Sequence, residues 1–260
     1  MNVFDVDFTI NGICPYLKDR YWALLRLEVS SISKQEYENL LNIGFRKNGN
    51  TYYLPKCFNC DECKSLRVKT KEFKPHKRYR KLLRKNSDIK LKINKPTFTE
   101  KKIQLYKKYI TIKHNDELDY DIEENYIYSF TEGIQNTQEM CYYLDSKLIA
   151  VGIIEVLLSS ISSVYFYYDT DYLDRSLGIF SILKEIEYAQ KLNKKYLHLG
   201  YYVHNCSAMN YKARFKPFDI LFENSFWIDG EAFIKKFYQN KPIKKGKDIH
   251  SKNFDDLWLF

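Results

Sequence analysis

The 260-residue chain contains no run of 18 consecutive apolar residues. A membrane-crossing helix needs about 20 mostly apolar residues, so the sequence predicts no transmembrane helix. Basic residues are also missing from positions 1–10, which contain Asp5 and Asp7 and so lack the charged start of a secretion signal. We therefore expect a cytoplasmic protein with no membrane partner.

Several familiar motifs are absent as well. The sequence has no zinc-finger helix, homeodomain or RNP motif, so sequence-specific reading of a nucleic-acid duplex is not indicated. It has no Ser-His-Asp signature that would argue for a covalent acyl-enzyme. Internal repeats and low-complexity tracts are also missing, and the length fits one large or two small domains.

Cysteine is present, with six residues in all, and in a cytoplasmic protein these are thiols or metal ligands rather than disulfides. Cys57, Cys60 and Cys63 follow one another at two-residue intervals. Tetrahedral zinc or an iron–sulfur cluster needs four ligands, and Cys14, beside Pro15, is the best fourth candidate. The alternative is that all four are reduced thiols without a metal.

Positive charge is concentrated directly after these cysteines. Residues 64–95 hold 14 Lys or Arg and two acids, a net charge of +12 in a chain whose total is +9. Such concentration indicates an anionic partner, with nucleic acid as the first candidate. A helix is predicted over residues 77–86, and we expect its basic side chains to bind phosphates: Lys77, Arg78, Arg80, Lys81, Arg84 and Lys85. Phe73 and Tyr79 could stack on unpaired bases.

The hydrophobic patterns predict an α+β fold divided near residue 95. Residues 1–95 would form an N-terminal Cys-containing α+β subdomain, with a capping box at Ser33 and Glu36 and a hairpin turn at Asn48-Gly49. Residues 96–260 would form a mixed sheet with helices, because three strands, a helix and a further strand follow one another after residue 140. That order is typical of GCN5-type acyltransferases.

A loop in the second half supports this interpretation. Residues 175–180 partly match the R-x-x-G-x-G/A loop of GCN5-type acetyltransferases, whose backbone N–H groups hold a pyrophosphate. Position 180 is Phe, where a tiny residue is needed, which argues against coenzyme A. Farther along, Lys212 and Arg214 would point the same way if their segment is extended, and could hold a phosphate or a carboxylate.

Taken together, these residues resemble a known family. The chain is similar to the arginyl-tRNA–protein transferases, and most to their bacterial aspartate/glutamate leucyltransferase branch. The matching pieces span roughly residues 12–222 in the family's order: Cys14-Pro15-Tyr16-Leu17, Gly44-Phe45-Arg46, Tyr53-Leu54-Pro55 with the three cysteines, Leu66-Arg67-Val68, Arg84-Lys85-Asn86, Asp174-Arg175-Ser176-Leu177-Gly178, Leu199-Gly200-Tyr201-Tyr202-Val203 and Tyr211-Lys212-Ala213-Arg214-Phe215.

The resemblance implies transfer of Leu or Arg from aminoacyl-tRNA to the N-terminal amine of proteins that begin with Asp or Glu, which marks them for degradation. Aminoacyl-tRNA would be a co-substrate, and no cofactor is required for the chemistry. We expect a monomer. Two alternatives stay open: an N-acetyltransferase that uses acetyl-CoA, and a non-enzymatic RNA-binding metal module.

Residue roles follow from motif position and charge. Arg67, Lys212 and Arg214 are the candidates for binding the substrate's acidic side chain, since Arg can bind a carboxylate with two hydrogen bonds. Arg175 and Gly178 should shape the donor site. The candidate catalytic residues, which could line the aminoacyl pocket or donate to the oxyanion, are Tyr201, Tyr202 and Tyr211.

Overall fold

The structure, a computed structural model, describes residues 1–114, 121–131 and 136–239. The end of the predicted second domain, beyond residue 239, lies outside the described residues. Two sheets organise the fold, one of four strands and one of eight. No helix in the described ranges has the length and apolar character needed to cross a membrane.

The smaller sheet is antiparallel, and one helix packs against it. Its strand order is β1-β2-β4-β3. The elements are β1 (Asn2–Ile13), β2 (Tyr21–Ser31), α1 (Lys34–Asn42), β3 (Arg46–Asn48) and β4 (Thr51–Pro55). The predicted capping box is confirmed, because Ser33 Oγ accepts from the Glu36 backbone while the Glu36 carboxylate accepts from the Ser33 backbone. Gly44, with φ +100°, ends the α1 turn in a conformation that favours glycine.

The larger sheet has the order β12-β11-β5-β10-β9-β8-β7-β6. Its strands are β5 (Lys64–Lys69), β6 (Lys90–Asn94), β7 (Thr137–Leu144), β8 (Lys147–Val156), β9 (Ser160–Tyr168), β10 (Tyr196–Tyr202), β11 (Phe218–Phe222) and β12 (Phe226–Asp229). The β9–β10 pair is parallel and the other strand pairs of the described sheet are antiparallel. A mixed α+β fold is therefore confirmed.

Helices cover both faces of this sheet. They are α2 (Lys77–Lys85), α3 (Glu100–His114), α4 (Ile122–Phe130), α5 (Leu177–Lys191), α6 (Ser207–Asn210) and α7 (Gly230–Tyr238). Alternate residues of β7 face opposite cores: Tyr142 belongs to the cluster that contains α2, α5 and α7 residues, and Cys141 to the cluster that contains α3 and α4 residues. Cys141 is a buried core residue.

The two sheets are joined by buried polar contacts. The Glu38 carboxylate on α1 accepts hydrogen bonds from Ser159 and Ser160 at 2.6–3.2 Å, and the Lys47 ammonium pairs with Glu155 at 3.0 Å. β5 and β6 precede residue 95 but belong to the larger sheet. A division near residue 95 thus does not coincide with a boundary between sheets, and it stays a prediction.

Candidate active site

A cleft of about 410 Å³ opens where the two sheets meet. The parallel pairing of β9 and β10 extends only to Ser162 and His198, after which the two strands separate. Residues 163–166 and 199–201 line the resulting gap, and the loops that carry the cysteines close its other side. The fold therefore creates the cleft by ending one strand pair early.

Arg46, on β3, crosses from the smaller sheet into this gap. Its side chain is only 6% exposed, and Nη2 donates to the Ser163 carbonyl oxygen, a group on β9 beyond the last β9–β10 pair. Nη1 is buried and has no hydrogen-bond partner among the described residues. Gly200 lies against this guanidinium, with φ +79°, so the Leu199-Gly200-Tyr201 motif provides a backbone bend that an L side chain would strain.

Glu185, on α5, is the acidic residue of the described cleft lining. It is 1% exposed; Oε1 accepts from Ser181 Oγ at 2.9 Å, and Oε2 has no hydrogen-bond partner among the described residues. Burial raises the pKa of Glu185 to about 7, although the hydroxyls of Ser181 and Ser163 and the charge of Arg46 oppose the rise. Such a carboxyl can take up or release a proton near neutral pH.

Lys212 and Arg214 do not point the same way, as an extended segment would require. Residues 211–214 form a 3-10 helix, so side chains two apart diverge. Lys212 enters the cleft and donates to the Tyr201 carbonyl oxygen at 2.8 Å, and burial lowers its pKa to about 7. Arg214 is exposed and does not line the cleft.

The three candidate tyrosines lie in different surroundings. Tyr201 and Tyr211 line the cleft, but the Tyr201 hydroxyl donates to the Gly44 carbonyl oxygen at 2.9 Å. Tyr202 does not line the cleft, and its hydroxyl is hydrogen-bonded to His204 Nδ1 at 2.8 Å. Tyr211 is therefore the best placed of the three to reach a bound substrate.

Arg67 lies outside the cleft lining. Its guanidinium is stacked between Tyr196 and Trp227, at 3.6 and 4.1 Å from the ring centroids, and Nε contacts Asp219 at 3.2 Å. An arginine that is already paired and stacked in this way is poorly placed to bind a substrate carboxylate.

Of the two predicted donor-site residues, one lines the cleft and the other does not. Gly178 lines the cleft, and a Cβ at this position would meet open space. Arg175 instead forms a two-bond ion pair with Asp88 at 2.8 and 2.9 Å. The Phe180 side chain packs in the core against Tyr142, so it does not crowd the loop in the way that the sequence argument against coenzyme A assumed.

The four candidate metal ligands line one side of the cleft. Backbone N–H groups contact Cys14 Sγ and Cys57 Sγ, both at 3.4 Å, and Arg20 donates to Cys60 Sγ at 3.2 Å. Cys63 is half-buried, and the pKa of its thiol is raised by desolvation and by the other three thiols. Thiols are the ligands that a soft metal or cluster favours, but no three His, Cys, Asp or Glu side chains in the described ranges are arranged to hold an ion.

The six predicted phosphate-binding residues of α2 are all exposed, whereas Leu82 and Leu83 pack on the core. This basic surface ends close to the cleft, because Lys85 contacts Asp174 at 3.0 Å and Asn86 donates to the Arg175 carbonyl at 3.0 Å. Stacking of bases on Phe73 and Tyr79 is not supported. Both rings are buried, and Tyr79 stacks on Phe215 at 5.2 Å instead.

Sequence reasoning missed Arg46 and Glu185. Arg46 stands in the Gly44-Phe45-Arg46 motif but was assigned no role. Glu185 lies one turn after Ser181 on the buried face of α5, while its neighbours Lys184 and Glu187 pair at the surface. An acidic residue on the apolar face of a helix was the signal that could have identified it.

The chain matches a known protein family over most of its length. A family model described as the N terminus of arginine-tRNA-protein transferase matches residues 13–81, and its C-terminal counterpart matches residues 101–222. An aspartate/glutamate leucyltransferase of Helicobacter hepaticus is 33% identical over 83% of this chain and 93% of its own length. The chain belongs to the arginine-tRNA-protein transferase family. Members of this family are aminoacyltransferases, and this chain is one of them.

Two further proteins extend the comparison of this transferase. An aspartate/glutamate leucyltransferase of Leptospira interrogans is 36% identical over 86% of this chain and 90% of its own length. Among solved structures, the PaiA N-acetyltransferase of Thermoplasma acidophilum matches 39% of this chain and 73% of its own, with a TM-score of 0.31 and 14% identity.

Proposed function

We propose that this protein transfers leucine from leucyl-tRNA to the N-terminal amine of proteins that begin with Asp or Glu. The charge of the cleft lining carries the proposal. Arg20 and Arg46 supply positive charge, Lys212 adds a partial charge because its pKa is lowered to about 7, and Glu185 is the acid of the described lining, which is otherwise mainly apolar. Such a cleft accepts an acidic acceptor and a leucyl side chain, whereas an arginyl side chain would meet cations.

The donor is already an activated ester, so the reaction is an aminolysis and needs no covalent enzyme intermediate. The enzyme has to hold the amine against the ester carbonyl and stabilise the oxyanion. We propose that Tyr211 donates a hydrogen bond to the oxyanion, since it lines the cleft. Tyr201 would shape the wall through its bond to Gly44.

The tRNA would lie on the exposed face of α2. Its six cations neutralise phosphates, and the contacts of Lys85 and Asn86 with the donor loop place this surface beside Gly178. The acceptor end of the tRNA would then enter the cleft past Gly178. We further propose that the enzyme works as a cytoplasmic monomer and that its leucylated products are degraded.

The four cysteines would hold zinc or an iron–sulfur cluster and stabilise the cleft wall. A soft metal favours thiolates, and the N–H groups of Leu17, Arg20 and Ala23 that contact sulfur would stabilise that form. In this proposal the metal organises the site and takes no part in the aminolysis.

The test is transfer of labelled leucine or arginine from the corresponding charged tRNA onto peptides that begin with Asp, Glu or Ala. We expect leucine to reach the Asp and Glu peptides and the Ala peptide to stay unlabelled. Equal labelling of the three peptides, or none, would contradict the proposal.

A further inference from the structure

We infer that Arg46 and Glu185 together form the subsite for the acceptor's N-terminal residue. Arg46 binds the side-chain carboxylate of Asp or Glu, and Glu185 binds the α-ammonium group and takes its proton. This inference rests on the proposed function and assigns it two specific side chains. One residue would set acceptor specificity and the other would act in catalysis.

The first observation is the unused hydrogen-bonding capacity of Arg46. Burial of a guanidinium N–H without a partner is costly, so such groups in native structures call for an explanation. Nη2 anchors Arg46 to the Ser163 carbonyl oxygen, while Nη1 is left to a ligand. A carboxylate is the natural partner, because the planar guanidinium can donate two parallel hydrogen bonds to it.

The second observation is the unused hydrogen-bonding capacity of the Glu185 carboxyl. Ser181 donates to Oε1 at 2.9 Å and the Ser163 hydroxyl lies near the carboxyl, while Oε2 is buried and makes no hydrogen bond of normal geometry within the described residues. An ammonium group would satisfy Oε2 and compensate the buried negative charge. The pKa of about 7 lies close to that of an α-amine, about 8, so the proton can move between them with little driving force either way.

The two groups are close enough to hold one amino-acid residue. Ser163 receives the Arg46 hydrogen bond on its carbonyl oxygen, and its hydroxyl lies near the Glu185 carboxyl. An N-terminal Asp or Glu carries an ammonium and a carboxylate a few bonds apart. The opposite charges of the subsite therefore match the ammonium and the carboxylate of the acceptor residue. An N-terminal Asn or Ala has the ammonium but no side-chain carboxylate, and so would match only Glu185.

The chemical step balances with these groups alone. Glu185 takes one proton from the α-ammonium, and the freed lone pair forms the N–C bond at the ester carbonyl. The tetrahedral intermediate then breaks its C–O bond to the tRNA ribose, whose oxygen leaves with a second proton from the attacking nitrogen. Glu185 releases its proton to solvent before the next turnover.

The Arg46 assignment is tested by acceptor selectivity. Initial rates of leucine transfer are measured on peptides that begin with Asp or Asn, with the wild type, Arg46→Gln and Arg46→Lys. We expect Arg46→Gln to lower kcat/KM for Asp about 10- to 100-fold, the range expected for charged hydrogen bonds, and to leave Asn transfer nearly unchanged. Lys216→Gln, an exposed cation paired with Glu231, is the matched control and should keep the wild-type ratio.

The Glu185 assignment is tested by the pH dependence of kcat. Glu185→Gln keeps the shape of the side chain and its contact with Ser181, but the amide cannot accept the proton. We therefore expect kcat to fall about 10²- to 10⁴-fold, and the change in kcat that occurs near pH 7 in the wild type to disappear. The other groups that face Glu185 are Arg46, Tyr142 and Tyr211, and the pKa values of both tyrosines are raised away from this range. Glu187→Gln, exposed on the same helix, is the matched control.

The outcomes separate the inference from the proposed function. If the wild type transfers no leucine to either Asp or Glu peptides, the proposed function fails. If the wild type is active, the Arg46 assignment is wrong when Arg46→Gln leaves the ratio of kcat/KM for the Asp peptide to that for the Asn peptide unchanged. It is also wrong when this ratio falls in Arg67→Gln instead. A pH limb that survives in Glu185→Gln would assign the proton to another group, with Lys212 the first candidate. Should Arg46→Gln not fold, Arg46→Lys decides, since an unchanged ratio there contradicts two-bond recognition.

Discussion

The buried Glu185 carboxyl makes a quantitative prediction about folding stability. Its pKa is about 7 in the folded protein and about 4.5 when exposed, because burial disfavours the charged form. Between these pH values the folded protein binds more protons than the unfolded chain. Stability therefore falls as pH rises through this window.

Replacing Glu185 with Gln removes this cost. Each pKa unit corresponds to about 1.4 kcal/mol, so a shift from 4.5 to about 7 amounts to roughly 3 kcal/mol once the group is fully ionised. Relative to the wild type, Glu185→Gln should gain about that much stability between pH 4.5 and pH 8. The gain should be complete above pH 7, although the variant loses activity.

The assay is denaturant unfolding of the wild type and Glu185→Gln at several pH values, followed by circular dichroism. The difference between the two proteins cancels other titrating groups, including His198, whose pKa is lowered by burial. Glu187→Gln supplies the exposed control and should show no such pH-dependent difference. If the difference in unfolding free energy between Glu185→Gln and the wild type does not change between pH 4.5 and pH 8, the assignment of a raised pKa to Glu185 is refuted.

Three further changes test other parts of the account. Lys102→Ala leaves the buried Glu139 carboxylate without the ammonium that contacts it at 2.6 Å, and should cost about 3 kcal/mol in denaturant unfolding; a cost below about 1 kcal/mol would contradict this. The double variant Lys81→Gln with Arg84→Gln should weaken tRNA binding. It should also reduce the slope of the logarithm of the binding constant against the logarithm of salt concentration, by up to about one unit per lost phosphate contact. An unchanged slope in filter binding would exclude this face of α2 as the tRNA-binding surface. Cys60→Ser should lower the zinc, or the iron and sulfide, measured in purified protein; equal content in both proteins would exclude Cys60 as a ligand.

Local patterns predicted much of the fold correctly. The capping box at Ser33, the hairpin after β3 and the α2 helix each depend on a few neighbouring residues, and all three are present. The predicted turn at Asn48-Gly49 is wrong by one position, because Asn48 pairs with Thr51 and the turn residues are Gly49 and Asn50. Short-range chemistry decides such features, so a single sequence contains the information. The exposure of the α2 cations follows in the same way, because Tyr79, Leu82 and Leu83 occupy its buried face.

The candidate site was less predictable because it depends on contacts between distant segments. Arg46 and Ser163 are 117 positions apart, and their contact exists only because β9 and β10 separate. Arg67 was expected at the substrate, but it contacts Asp219 and Trp227 instead. Asp219 lies on β11, which pairs with β5, and Trp227 lies on β12, which pairs with β11, so these contacts exist only in the folded sheet. Residue type and spacing along the chain do not specify such partners.

Leucine transfer itself tests the central claim most directly. Purified protein is mixed with labelled leucyl-tRNA or arginyl-tRNA and with a peptide that begins with Asp, Glu or Ala, and the labelled N-terminus is quantified. We expect label from leucyl-tRNA on the Asp and Glu peptides only. Transfer from arginyl-tRNA with leucyl-tRNA inactive would contradict the claim about the donor, and label on the Ala peptide at the same rate would contradict the claim about the acceptor.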